Sequence, residues 1–167
     1  MQPVVIAVLL SAVVSASAAA QTVSPGLEHA NPGMASPEDR RDVERVVLDF
    51  LKKLGSRDVS GVRALLAPKA LVAVVRQRDK AFVNTYQTGE EFIAQFEKNA
   101  GQPKFEEPIT DVVITVDSGC LAYVRAPFTI VRDGKVTSSG IDHFTLLKEE
   151  SGWKIALVAY TSLPATR

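Results

Sequence analysis

An α+β domain is the fold class this sequence predicts, with three N-terminal helices packed on a strongly curved antiparallel sheet. Three observations lead there. Helical hydrophobic spacing is confined to segments that precede Ala100. Four long strand-like runs then follow one another on short turns from Ile109 onward. No helical segment separates those runs, which excludes an alternating βαβ order. Consecutive strands on short turns form a meander, and long strands curl. Helices laid against the concave side would close a cone.

Each element has its own warrant. Ser36 can cap a first helix, Pro37 suits its first turn, and Glu38 and Asp39 favour its N-terminus. Val43, Val46, Val47, Phe50 and Leu54 recur at helical spacing, and Gly55 is read as the end. A short second helix places Val62, Leu65 and Leu66 on one face and stops at Pro68. Two short β-type runs follow, Ala70–Gln77 and Ala81–Gln87, joined by Arg78-Asp79-Lys80. Thr88-Gly-Glu-Glu91 is a capping box that opens a third helix with Phe92, Ile93 and Phe96 on its apolar face. The last four strands are read as Ile109–Val116, Cys120–Arg132, Lys135–Lys148 and Trp153–Ser162. Their turns are Asp117-Ser-Gly119, Asp133-Gly134 and Glu149–Gly152.

Composition narrows the function classes. The chain has 167 residues, 46% of them hydrophobic, with 19 basic and 19 acidic side chains and no net charge. That suits one domain with a sizeable core and lacks the basic footprint of a nucleic-acid binder. Metal binding is not expected, because zinc needs several close ligands and the folded part offers one isolated histidine, His143. No Gly-rich phosphate loop or nucleophile elbow is present, and no cofactor is implied. Cys120 is the only cysteine, so an internal disulfide is impossible; in a strand it would be a small buried hydrophobe. Trp153 is expected in the core.

The N-terminus reads separately. Val4 to Val14 is apolar except for Ser11, and Ser-Ala-Ser-Ala-Ala-Ala follows it up to Ala20. That is the pattern of a secretory signal peptide over 1–20, with Ala18 and Ala20 in the small-residue positions before cleavage. The run is too short for a membrane span, and no lipidation cysteine follows it. The expectation is an exported protein, periplasmic or secreted, without stable membrane insertion. Residues 21–36, which include Pro25, Gly26, Pro32 and Gly33, are read as a flexible linker. The folded domain is then 37–164.

Local segments carry a family resemblance. "FLKKLGSRDVSGVRALLAP" resembles the first two helices of the nuclear-transport-factor-two-like superfamily, in its SnoaL-like and ketosteroid-isomerase-like part. "TGEEFIAQFE" is similar to its third helix, and "GWKIALVAYTSLP" to its final strand. The order helix–helix–hairpin–helix–four strands matches over about Pro37 to Pro164. The resemblance implies a cone with an internal, mostly apolar pocket that takes a small apolar or amphipathic molecule. It also implies a homodimer. The fold hosts enzymes and pure binders alike, so it leaves the activity open.

"RAPFTIVRDG" is similar to the steroid-isomerase strand that enters the last hairpin. Counted without gaps from Asp133-Gly134, the isomerases' hydrogen-bonding acid falls on His143, their oxyanion-holding tyrosine on Phe50 and their base near Val74. Phe cannot donate to an oxyanion and Val cannot move a proton, so that chemistry is not expected. Alternation allows only one of Asp142 and His143 to face the pocket, and the resemblance puts His143 inside. The pocket would be lined by Phe50, Val74, Phe128, Ile141, His143, Thr145, Ala159 and Thr161. Arg76, Tyr86, Tyr123 and Arg125 are further possible lining that more often faces solvent, and the alternation of Arg125 with Ala126 and Phe128 points it outward. Asp142 would lie outside with Phe144 and Leu146, which with Val158 and Tyr160 form an apolar stripe suited to a two-fold homodimer.

The expectation for function is therefore an exported small-ligand binder with no assigned reaction. One alternative is a cofactor-free lyase, isomerase or cyclase with His143 as acid–base. Another is a dimerising interaction module. A merely packing His143 is preferred over a catalytic one, because spacing identifies no partner carboxylate.

Overall fold

α1 (Pro37–Ser56) begins where Ser36 Oγ accepts the Asp39 amide at 3.0 Å, with Pro37 at the first position. The computed structural model describes residues 36–78 and 81–164. The expected signal peptide over 1–20 and the expected linker as far as Ala35 lie outside the described residues. α1 buries Val43, Val47, Phe50 and Leu51 along one face. Its end differs from the sequence reading: Gly55 lies within the last turn, and Arg57 takes the left-handed cap at φ 68°. Gly55 is needed for another reason. A Cβ there would collide with the Phe105 carbonyl, and the Phe105 amide donates to the Gly55 carbonyl at 3.1 Å.

α2 (Val59–Leu65) is capped by Asp58, whose carboxylate accepts the Gly61 amide at 2.9 Å. β1 (Leu66–Arg78) starts before the expected Ala70, and Pro68 sits in an irregular stretch where its pairing shifts register. After β2 (Ala81–Thr88), α3 (Gly89–Lys98) opens on the expected capping box. Thr88 Oγ1 accepts from the Glu91 amide at 3.2 Å, and Glu91 Oε2 accepts from the Thr88 amide at 2.8 Å. β3 is only Val113–Asp117. The preceding residues pair through isolated bridges, Glu106 with Val131 and Ile109 with Phe128. Pro108 lacks a donor there and Asp111 turns the chain at φ 46°, so a continuous strand from Ile109 does not form.

β4 (Leu121–Arg132), β5 (Lys135–Glu149) and β6 (Gly152–Pro164) complete a curved, unclosed sheet of order β2-β1-β6-β5-β4-β3. The meander is antiparallel as expected, but β1 joins β6 in parallel, which makes the sheet mixed. The helices cover the concave face. Phe50 of α1 meets Phe144 of β5 edge to face, with ring centres 5.9 Å apart. Lys148 of β5 reaches Asp39 of α1 at 2.6 Å and fixes the helix start to the sheet. Trp153 is buried. Cys120, in contrast, is exposed, because it sits in the turn after Asp117 rather than in a strand.

One residue in the last hairpin decides which way β5 faces. Asp133 and Gly134 both have positive φ, 49° and 71°, as a two-residue turn requires. Arg132 pairs with Lys135 and Val131 with Val136, but the next pair is Ile130 with Ser138. Thr137 is thus an extra residue, a β-bulge. A one-residue slip turns every later side chain to the opposite face. A gapless count would set His143 against Val124, which is buried; the bulge sets it against Arg125, which is exposed.

Candidate functional site

The inner face of β5 therefore carries Gly140, Asp142, Phe144 and Leu146, and the expected assignment of His143 is reversed. His143 is exposed on the convex side, beside Arg125 and Ala159. Ile141, Thr145, Ala159 and Thr161 share that outer face, where Thr161 Oγ1 accepts the Ile141 amide at 3.0 Å. They do not line the pocket. Tyr86, Tyr123 and Arg125 are likewise outside. Val74 is buried on the same side of β1 as Val72 and Arg76 but does not line the cavity. Phe50, Phe128 and Arg76 do line the cavity. The stripe of Phe144, Leu146, Val158 and Tyr160, expected on the outer surface, lies inside the cone.

The cavity between the helices and the sheet has a volume of about 210 Å³. Phe50, Phe92, Phe128, Phe144, Val72 and Val158 make its apolar walls. Gly140 makes room for one of them. It pairs with Phe128 across β4 and β5, and a Cβ at 140 would stand 2.7 Å from the Phe128 ring. Ala126, opposite Asp142, is also small and leaves the carboxyl group open toward the cavity.

Asp142 is only 3% exposed, and its Oδ2 has no hydrogen-bond partner among the described residues. Burial pushes its carboxyl group up to about 7, because ionising it in an apolar setting forfeits hydration. Tyr160 is its cross-strand neighbour on β6. The phenol accepts from Arg76 Nη2 at 3.4 Å, and its ring stands edge-on to Phe128 with centres 6.5 Å apart. Burial raises the Tyr160 phenol too, partly offset by Arg76.

Glu107 is the second acid in the cavity wall. It belongs to the segment after α3 that is tied to β4 by paired amide bonds between Glu106 and Val131. Glu106 is exposed, so its neighbour Glu107 is turned inward. Burial, and then the nearby Asp142, push the Glu107 carboxyl up to about 8. Two carboxyl groups that hold protons near neutrality are hydrogen-bond donors as well as acceptors. Arg132, Ser138 and Ser162 complete the lining at the end where Arg76 lies. Among the described residues no group of three metal-ligating side chains occurs, and no helix is long and apolar enough to cross a membrane.

Sequence reasoning missed Asp142, Glu107 and Tyr160. A signal for two of them was present: the most apolar alternating stripe of β5 and β6 runs through Phe144, Leu146, Val158 and Tyr160, and such a stripe belongs in a core before it belongs at an interface. Following that stripe back along β5 reaches Asp142. Nothing local marks Glu107, whose inward turn depends on pairing with β4.

Comparison with solved structures agrees with this architecture. A protein of unknown function with a cystatin-like fold from Nostoc punctiforme superposes with a TM-score of 0.63 at 14% identity, over 77% of this chain and 94% of that one. A putative dehydratase of the NTF2-like family from Streptomyces avermitilis gives 0.59 at 15% identity, over 78% and 98%. A putative scytalone dehydratase from Novosphingobium aromaticivorans gives 0.59 at 16% identity, over 73% and 82%. At such identities the likeness is one of fold. No curated protein matches the sequence. The family model described as "Putative lumazine-binding" matches residues 38–161, and the chain belongs to that family, within the NTF2-like superfamily.

Proposed function

We propose that the protein binds a small, flat heteroaromatic molecule of the lumazine type inside the cone. The observation that carries this reading is the unpartnered, buried Asp142 carboxyl aimed into an aromatic-walled cavity. A buried polar group without a partner is costly, and a ligand that hydrogen-bonds to it removes that cost. The cavity, at about 210 Å³, is below the range of roughly 300–1,000 Å³ typical for drug-sized ligands, which favours a one- or two-ring molecule. Lumazine is a fused bicycle whose pyrimidinedione edge alternates carbonyl groups and N–H groups. Protonated Asp142 or Glu107 can donate to such a carbonyl, and the ionised form can accept from such an N–H. The phenylalanines offer edge and face contacts to the rings. The family description supports the same ligand class.

The test is calorimetric titration with lumazine, and with naphthalene as a flat bicycle that lacks the polar edge. Saturable lumazine binding, weakened about 10- to 100-fold in Asp142→Leu, is the expected result, as for loss of one buried hydrogen bond worth about 1–3 kcal/mol. Equal affinity of wild type and Asp142→Leu for lumazine would remove the basis of the reading.

The two raised carboxyl groups favour a second reading, proton transfer to or from the bound ring system. General acid–base catalysis needs a group that titrates near the working pH, and Asp142 and Glu107 both do so inside the cavity. His143, on the outer face, does not reach it. Turnover of a bound ligand that survives His143→Gln and is lost in Asp142→Asn would favour this reading over simple binding.

A further inference from the structure

The polar groups of the cavity are not evenly spread. On the inner face, Arg76 of β1 pairs with Ser162 of β6, and Ser138 of β5 pairs with Ile130 of β4, two residues before Arg132. Arg76, Ser162, Ser138 and Arg132 thus form an arc across four strands, at one end of the cavity. Asp142 and Phe144 lie further along β5, toward the base.

Neither arginine of the arc is neutralised. Among the described residues no carboxylate forms an ion pair with Arg76 or Arg132. Arg76 has only the Tyr160 hydroxyl, at a long 3.4 Å. The Arg132 guanidinium lies over the Phe105 ring, 5.0 Å from its centre, and Phe105 also lines the cavity. Arg57 stands over the same ring at 5.0 Å and over Phe96 at 5.7 Å, so a third cation adds to the field. Burial and then the proximity of Arg132 lower the Arg57 guanidinium from its ordinary value, as expected for cations crowded without counter-charge. Asp142, further along β5, and Glu107, in the segment that pairs with β4 at Val131, supply little compensation when they hold protons.

Two guanidinium groups and two hydroxyls that face one small space make a recognition site for a planar anion. Guanidinium matches a carboxylate in two-point geometry, and such charge-assisted bonds are stronger than neutral ones. We propose that this arc is a carboxylate subsite, and that the natural ligand is an aromatic or heteroaromatic acid. Its ring system enters the phenylalanine-walled base and its carboxylate stays at the arc, between Arg76 and Arg132. The inference rests on the reading of the cavity as a ligand site and adds the charge of the ligand to it. A flat acid is oriented by both ends, with its neutral edge toward Asp142 and its anionic group toward the arginines.

The experiment compares 2-naphthoate with 2-naphthamide, an isosteric pair that differs in charge, by calorimetry on the 37–164 domain within the full chain. 2-Naphthoate should bind about tenfold or more tightly than the amide at low salt, as charge-assisted bonds to arginine imply. The advantage should shrink as salt rises, a readout that needs no variant. Arg76→Gln and Arg132→Gln should each reduce it, weakening 2-naphthoate more than 2-naphthamide. Equal affinity for acid and amide, or an advantage that persists in both variants, would overturn the proposal. If lumazine fails to bind but the acid preference holds, the carboxylate subsite stands and the lumazine reading falls. If neither naphthalene derivative binds, the carboxylate subsite falls, while the lumazine reading is still decided by the lumazine titration.

Discussion

Replacing Asp142 by Asn removes one titrating proton from the interior of the cone, and the effect on stability can be worked out from its environment. In the folded protein this carboxyl group holds its proton up to about pH 7, against an ordinary value of 3.8. The unfolded chain therefore releases the proton first as pH rises. Stability from this group is fully present below about pH 4, declines as pH climbs toward 7, and is flat beyond. One unit of displacement corresponds to about 1.36 kcal/mol, so the two units or so between about pH 5 and pH 8 amount to roughly 3 kcal/mol. Set against a typical total of about 5–15 kcal/mol, that is easily measured. Urea denaturation at both pH values should show wild type losing about 3 kcal/mol more than Asp142→Asn over this interval. Glu107, displaced in the same direction to about 8, leaves a slope of the same sign and comparable size in the variant, so it is the difference between the two proteins that reports Asp142. Ion pairs such as Asp39–Lys148 are common to both proteins and cancel in the comparison. Parallel pH profiles for wild type and Asp142→Asn would refute the placement of an ionisable group in an apolar interior.

Three further outcomes follow from the same geometry. Gly140→Ala should destabilise by about 1–3 kcal/mol, because its Cβ meets the Thr161 carbonyl and the Phe128 ring; thermal melting measures it. In a Cys120→Ser background, which removes the exposed native thiol, a cysteine replacing His143 should react rapidly with a thiol reagent, while one replacing Asp142 should react only on unfolding. Reversed rates would restore the strand orientation expected from the gapless count. We also propose export, on the strength of the apolar run Val4–Val14 and the small residues up to Ala20. Intact-mass measurement of the natively expressed protein should give a chain that begins at or near Gln21, and a retained Met1 would contradict it.

Helix starts were legible in the sequence because caps are local chemistry: Ser36 with Pro37, and Thr88 with Glu91, act within one turn. The order of elements and the Asp133-Gly134 hairpin were legible for the same reason. The parallel contact between β1 and β6 was not, since it joins segments far apart in sequence and has no local mark. The candidate site failed at one point, Thr137. A bulge adds a residue without any composition signal strong enough to announce it, yet it exchanges the roles of Asp142 and His143 completely. The exposed Arg125 was oriented correctly from its alternation with Ala126 and Phe128, on a strand free of such a slip. Carrying that orientation across the hairpin by pairing, rather than by counting, is what places the acid inside.

The central claim is that Asp142 is the ligand-contacting group of an aromatic-walled cavity while His143 stays outside. Carbon-13 NMR of the side-chain carboxyl groups, followed through a pH titration with and without lumazine, tests it most directly. The account predicts an Asp142 signal that titrates near pH 7 in the free protein, far above the ordinary value of 3.8, and that moves when lumazine is added, while the His143 ring signals do not. An Asp142 signal that titrates near its ordinary value and ignores the ligand, with His143 responding instead, would contradict it.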